Sequence, residues 1–160
     1  MKQMTATQRK KIQSFIKNGL DISKLIEGYS IKNENLSGAK IMIFNRSKDD
    51  MCGVNLSRSV VGAPGVINNI SGSKLRNCNF SDADIQGILY ARRCDCRDGD
   101  FSGAIFSNVE YQFTDFRGAK FCEACLRLGT VYGMGAIFDT NFFADLTKGW
   151  NLNVTKKDEE

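Results

Sequence analysis

The sequence predicts an all-β solenoid, a quadrilateral parallel β-helix with an N-terminal α-helical cap. Three observations carry the prediction. Large apolar residues recur every five positions through the middle of the chain, a small residue stands two places before each, and the one amphipathic helical pattern is confined to the N-terminus.

The repeat is clearest at Phe101, Phe106, Tyr111, Phe116, Phe121, Leu126 and Val131, with Gly99, Ala104, Val109, Thr114, Ala119, Ala124 and Gly129 as small partners. Upstream, Leu75, Phe80, Ile85 and Tyr90 continue it, with one extra residue before Cys96. A period of five fits neither an α-helix nor an alternating strand. It fits a short extended face followed by a corner, with one large and one small residue turned inward. Four such faces make a square coil, and successive coils pair at the spacing of parallel strands.

This geometry predicts four stacked columns of inward residues. One is the core ladder Ile41, Val61, Phe80, Phe101, Phe121 and Phe142. A second runs Val66, Ile85, Phe106, Leu126 and Leu146; a third Leu36, Leu56, Leu75, Cys96, Phe116 and Ile137; the fourth Met51, Ile70, Tyr90, Tyr111 and Val131. Arg46 at a large position, with Phe44 and Pro64 at small ones, predicts an irregular first coil near residues 45–51.

The units "ADIQG" at 83–87, "GDFSG" at 99–103, "TDFRG" at 114–118, "AKFCE" at 119–123 and "ADLTK" at 144–148 resemble the pentapeptide-repeat family. The resemblance covers residues 34–148 and implies that family's right-handed β-helix. It also implies two kinds of role, protein recognition or mimicry of duplex DNA toward type II topoisomerases such as DNA gyrase.

Before the repeat, residues 1–30 read as an amphipathic helix and capping segment, with Thr5 and Gln8 as a capping box and an apolar stripe of Ile12, Phe15, Ile16 and Leu20. A solenoid needs its ends covered, so the helix is expected over the first coil. The β-helix is expected over 31–152, with Trp150 and Leu152 at its far end, and a charged tail over 153–160.

Charge and composition narrow the function. Residues 1–24 hold six basic side chains against Asp21 alone, whereas 25–154 hold fourteen of each sign. A balanced body weakens DNA mimicry, which needs a strongly negative surface. The basic N-terminal segment is the one place for a nucleic-acid tether. Histidine is absent, and no nucleophile elbow, P-loop or dinucleotide fingerprint appears, so no enzyme, cofactor or metal site is expected. Cys94-x-Cys96 and Cys122-x-x-Cys125 do not converge on a tetrahedral metal site, because Cys78, Cys94 and Cys96 take inward positions and Cys122 and Cys125 outward ones. Asp95, Asp98 and Asp100 lack calcium-loop spacing; Asp before a central residue is expected to bond backbone.

With no signal-peptide pattern and no apolar run long enough to span a membrane, the expectation is a cytoplasmic protein or a part of an intracellularly made particle, with thiols reduced. The function expected is a non-catalytic recognition or scaffold rod with a protein partner, such as a component of a virion. Phe113, Tyr132, Phe138 and Phe143 follow large positions and are expected outside, with Phe113 and Tyr132 adjacent on one face. They are the candidate partner contacts, and self-association through the C-terminal coils is one form of that idea.

Overall fold

The structure, a computed structural model, describes residues 1–121, 130–132 and 135–139. After two N-terminal helices, α1 (Ala6–Lys17) and α2 (Ser23–Ile26), the chain winds into a right-handed quadrilateral parallel β-helix of about four turns. Its strands are β1 (Lys40–Ile41), β2 (Val60–Val61), β3 (Ile67–Asn69), β4 (Asp84–Tyr90), β5 (Asp100–Phe101), β6 (Ile105–Glu110), β7 (Lys120–Phe121) and β8 (Thr130–Tyr132). All pairing is parallel: β1, β2, β4, β6 and β8 follow one another in one sheet, β3 joins β4, and β5 pairs β7. Single-residue bridges such as Asn35–Asn55–Asn79–Asp100 and Asp50–Lys74–Asp95–Asp115 complete the other faces.

The local chemistry of the repeat explains these short faces. The residue before each large position is often Asn or Asp, and its side-chain oxygen accepts the N–H two residues on. Asn55 accepts from Ser57 at 3.0 Å, Asn79 from Ser81 at 2.9 Å and Asp100 from Ser102 at 3.0 Å. This Asx turn bends the chain at the corner and satisfies a donor there. The large residue's own N–H then donates to the next coil, as Leu56 does to Asn79 at 2.7 Å and Phe80 to Asp100 at 2.7 Å.

Four faces follow from the pairing. Face A stacks Met51, Leu75, Cys96, Phe116 and Phe138 inward; face B stacks Leu36, Leu56, Phe80, Phe101 and Phe121; face C stacks Ile41, Val61, Ile85 and Phe106; face D stacks Arg46, Ile70, Ala91 and Tyr111. The expected core ladder is therefore two columns. Val61 pairs with Ile85, 24 residues on, and not with Phe80. The cause is an excursion after β2 in which Ala63, Pro64, Gly65 and Val66 are added to the usual corner. Gly62 and Gly87 permit its close packing: a Cβ on Gly62 would stand 2.3 Å from the Gln86 carbonyl oxygen, and one on Gly87 2.3 Å from that of Val66. Val66 is consequently not an inward central residue of face C.

A second shift lies inside β4, where the pairing with β6 slips between Ile85 and Ile88. The extra residue falls before Tyr90 and not after it. Ala91 takes the inward place and is buried, while Tyr90 pairs with Glu110 and is half-buried. Phe142, Leu126 and Leu146, the distal members of the expected columns, lie outside the described residues, as do Trp150, Leu152 and the tail.

The segment near Arg46 is regular, contrary to expectation. Asn45 bridges Asn69, and Arg46 turns inward with only 7% of its surface exposed. Its guanidinium donates to the Tyr29 carbonyl at 2.7 Å, the Ile26 carbonyl at 2.8 Å and the Asp49 carboxylate at 2.9 Å. An inward charge is tolerated because the capping segment supplies its acceptors.

The cap itself is α1 with the chain that follows it. Thr5 accepts the Gln8 N–H at 3.1 Å, but the Gln8 side chain donates to Leu25 instead of closing the capping box. Ile12 is buried, Phe15 and Ile16 pack against the core, and Leu20 is exposed. Gln13 donates to the Asn35 carbonyl, and Ile22 donates to Lys40, so the first coil's edge is paired.

Phe101 sits at the centre of the aromatic packing, stacked between Phe80 at 5.6 Å and Phe121 at 5.2 Å, with Phe106 and Phe116 beside it. Phe101→Ala is expected to destabilise the fold by about 3–5 kcal/mol in equilibrium denaturation. An unchanged midpoint would contradict the stacking.

Candidate partner-binding surface

The outward residues differ sharply from face to face. On face A, carboxylates before the large position alternate with arginines after it. Arg76 and Arg97 pair with Asp95 at 3.0 and 2.7 Å, and Arg117 with Asp115 at 2.7 Å. Lys32 pairs with Asp50 at 2.8 Å. The acids of this face are thus neutralised in place. Face B is a ladder of Asn35, Asn55 and Asn79, continued by Asp100 against Lys120, beside Ser37, Ser57, Ser81 and Ser102, and its amide oxygens are used in turns and in bonds between coils.

The corner between faces C and D is apolar. Ile67 pairs with Ile88 in the β3–β4 ladder, and the Asn45–Asn69 bridge places Ile43 one coil below Ile67. Ile43 and Ile67 are each 51% exposed, and Ile88 is half-buried. Three isoleucines on one corner in consecutive coils form a stripe that the period-five reading did not find. It depends on the excursion and the β4 shift, which bring residues 24 and 21 apart into line. Ile105, 44% exposed, lies on adjoining face C.

The expected contact residues fall otherwise. Phe113 is 55% exposed at the corner after face D. Tyr132 is not beside it: its backbone pairs with Glu110, and Gly135 lies against the Phe113 ring. Phe138 points inward, not out. The Asp115–Ile137 bridge sets Phe138 over Phe116, with ring centroids 5.2 Å apart, and leaves Ile137 exposed. Pairing partners here stand 22 residues apart, as in Asn108–Thr130 and Asp115–Ile137, against 20 for Phe101–Phe121, which turns Phe138 and not Ile137 inward. Phe143 lies outside the described residues.

Cys78, Cys94 and Cys96 are buried, and Cys52 is half-buried; Cys122 and Cys125 lie outside the described residues. Burial pushes the Cys78 thiol up, and a hydrogen bond with Cys94 together with burial raises that of Cys96. These are features of thiols packed as small hydrophobes. Asp95 and Asp100 spend oxygens on Arg97 and the Ser102 N–H, as the repeat requires. Among the described residues no helix is long and apolar enough to cross a membrane.

A family model of pentapeptide repeats in eight copies matches residues 90–121. The matched segment carries pentapeptide repeats. Among solved structures it is similar to a pentapeptide repeat protein from the Arabidopsis thaliana thylakoid lumen, with 22% identity over 71% of this chain and a TM-score of 0.33. The match spans 64% of that protein, less than two thirds of its length. It is also similar to full-length QnrB1, a plasmid-mediated fluoroquinolone resistance protein, with 13% identity over 78% of this chain and 86% of that one, and a TM-score of 0.35. No curated protein matches the sequence.

The face A pairs predict how stability responds to acid. Lys32 holds the Asp50 carboxyl down at about 2, and Arg97 and Arg117 hold those of Asp95 and Asp115 below the usual range. Folded values below unfolded ones mean that the unfolded chain takes up protons first. Their contribution is complete above the unfolded carboxylate pKa of about 4 and is lost as pH falls below it. In thermal melts, Asp115→Asn is expected to flatten the fall in midpoint between about pH 4 and about pH 2; an unchanged acid profile would count against these pairs.

Proposed function

We propose that this chain is a non-catalytic protein-recognition or scaffold rod, with the isoleucine stripe at the corner of faces C and D as its main contact. The stripe is the observation that carries the reading. Exposed apolar residues stacked in consecutive coils mark association surfaces more than scattered ones do. A rigid ladder also presents them without the cost of ordering a loop. DNA mimicry of a topoisomerase substrate draws no support from the described faces, because the acids of face A are matched by arginines and face B sets Asp100 against Lys120. A nucleic-acid tether through α1 has Lys10, Lys11 and Lys17 exposed, while Arg9 is bound to Glu34.

A photo-crosslinking residue at position 67 is expected to give a discrete adduct with a partner in the native source. The same residue at position 102, on face B, is expected to give none. An adduct of twice the chain mass would identify the partner as a second copy. Each buried isoleucine contributes about 1.5–3 kcal/mol. Ile43→Ser with Ile67→Ser should therefore weaken association on the order of 100-fold, read by titration of the purified pair, with the melting midpoint little changed. Equal labelling from positions 102 and 67 would overturn the reading.

A further inference from the structure

The corner after face D places more long side chains in left-handed backbone than the corners after faces A and B, where Arg58 is the one such residue among those described. After face A that position holds Asn33, Gly53, Asn77, Asp98 and Gly118, all with φ between 55° and 72°. After face B it holds Gly38, Arg58, Asp82 and Gly103. Glycine, Asn and Asp adopt this conformation with least strain. After face D it holds Lys48, Gly72, Arg93, Phe113 and Gly135, with φ of 59°, 73°, 55°, 58° and 68°. Long cationic and aromatic side chains are thus held where Asn or Asp would fit better, and local strain of this kind accumulates at functional positions.

These residues surround a recess of about 510 Å³ lined by Lys48, Ser71, Gly72, Arg92, Arg93 and Phe113, with Gln112 at its edge. Gly72, lacking a side chain, lets the Lys48 side chain lie against it, where a Cβ would stand 3.3 Å from Lys48 Cγ, with Arg93 one coil above. The Lys48 and Arg93 backbones are two coil steps apart, roughly 10 Å, within the combined reach of a lysine and an arginine. Arg92 is bound to Glu110. Among the described residues neither Lys48 nor Arg93 has an ion-pair partner, whereas Arg76, Arg97 and Arg117 on face A all do. Arg93 lies over the Phe113 ring at 5.9 Å, and that ring abuts Gly135, where a Cβ would come within 2.5 Å. The aromatic ring is therefore within cation–π range of the guanidinium beside the recess.

We propose that this recess binds a phosphate monoester carried on a segment of the partner protein. The phosphate-binding part stands on the recess alone; that a protein carries the phosphate rests on the partner-recognition reading above. Three cations against one carboxylate suit a dianion better than a single carboxylate, and an arginine fork matches phosphate oxygens. Nucleic acid fits less well. A phosphodiester strand needs cations along its path, but the corner column alternates Lys48 and Arg93 with Gly72, Phe113 and Gly135, and the column beside it holds Ser47, Ser71 and Gln112 with one cation, Arg92, bound to Glu110.

The test is a titration of the isotope-labelled full chain, followed by amide chemical shifts. Phenyl phosphate is expected to move Ser71, Gly72, Arg92 and Arg93, and phenyl sulfate, one charge poorer, to bind at least tenfold more weakly. Lys48→Asn and Arg93→Asn place a residue suited to left-handed backbone at each corner. Each is expected to keep or raise the melting midpoint while weakening phenyl phosphate at least tenfold; Arg76→Ala on face A should leave binding unchanged. No shift, shifts spread over the α1 lysines, equal binding of sulfate, or Asn variants that bind normally would overturn the proposal. So would a single-stranded oligodeoxynucleotide that binds more tightly per phosphate than phenyl phosphate. A phosphoserine peptide from the crosslinked partner segment should bind more tightly than free phosphoserine, and equal binding would overturn the protein-borne source. Retained phenyl phosphate binding with no adduct from position 67 would sink the partner reading alone; the reverse result would sink this one alone.

Discussion

Every feature of this molecule depends on the parallel backbone ladder between one coil and the next. Each face is too short to be stable as an isolated strand. It persists because the N–H of a large inward residue donates to the coil above while its side chain stacks in the column below. The Asn or Asp before it holds the corner by accepting the N–H two residues on. A residue added between corners displaces everything after it, so register is the constraint from which surface and core both follow.

The same dependence explains what the sequence disclosed. Period five is local and chemically marked, so the inward positions of Leu56, Leu75, Phe80 and Phe101 were legible from their spacing. The association of columns across an insertion was not. Val61 and Phe80 are alike in character and nearly a coil apart, and nothing local says that residues 63–66 are added to the corner. Tyr90 and Ala91 compete for one inward place, and hydrophobicity favours Tyr90; the ladder with Glu110 decides for Ala91. Arg46 looked like a defect because its acceptors, the carbonyls of Ile26 and Tyr29, come from a cap whose docking no repeat pattern encodes.

Distinctive surface chemistry appears where the repeat departs from its rule. Regular stretches give paired ions on face A and amides whose oxygens are used in turns on face B. The excursion and the β4 shift align Ile43, Ile67 and Ile88, and the corner after face D holds Lys48, Arg93 and Phe113 in backbone they do not favour. Phe138 shows the converse: read as surface by spacing, it is drawn into the core by register.

Because both proposed surfaces inherit the register set at residues 62–69, nuclear Overhauser contacts across that point test the account most directly. With methyl-labelled protein, the account predicts contact between the Val61 and Ile85 methyls and between the Leu56 methyls and the Phe80 ring. Val61 methyls against the Phe80 ring in place of Leu56 would contradict it, since that register would restore a single ladder and separate Ile43 from Ile67.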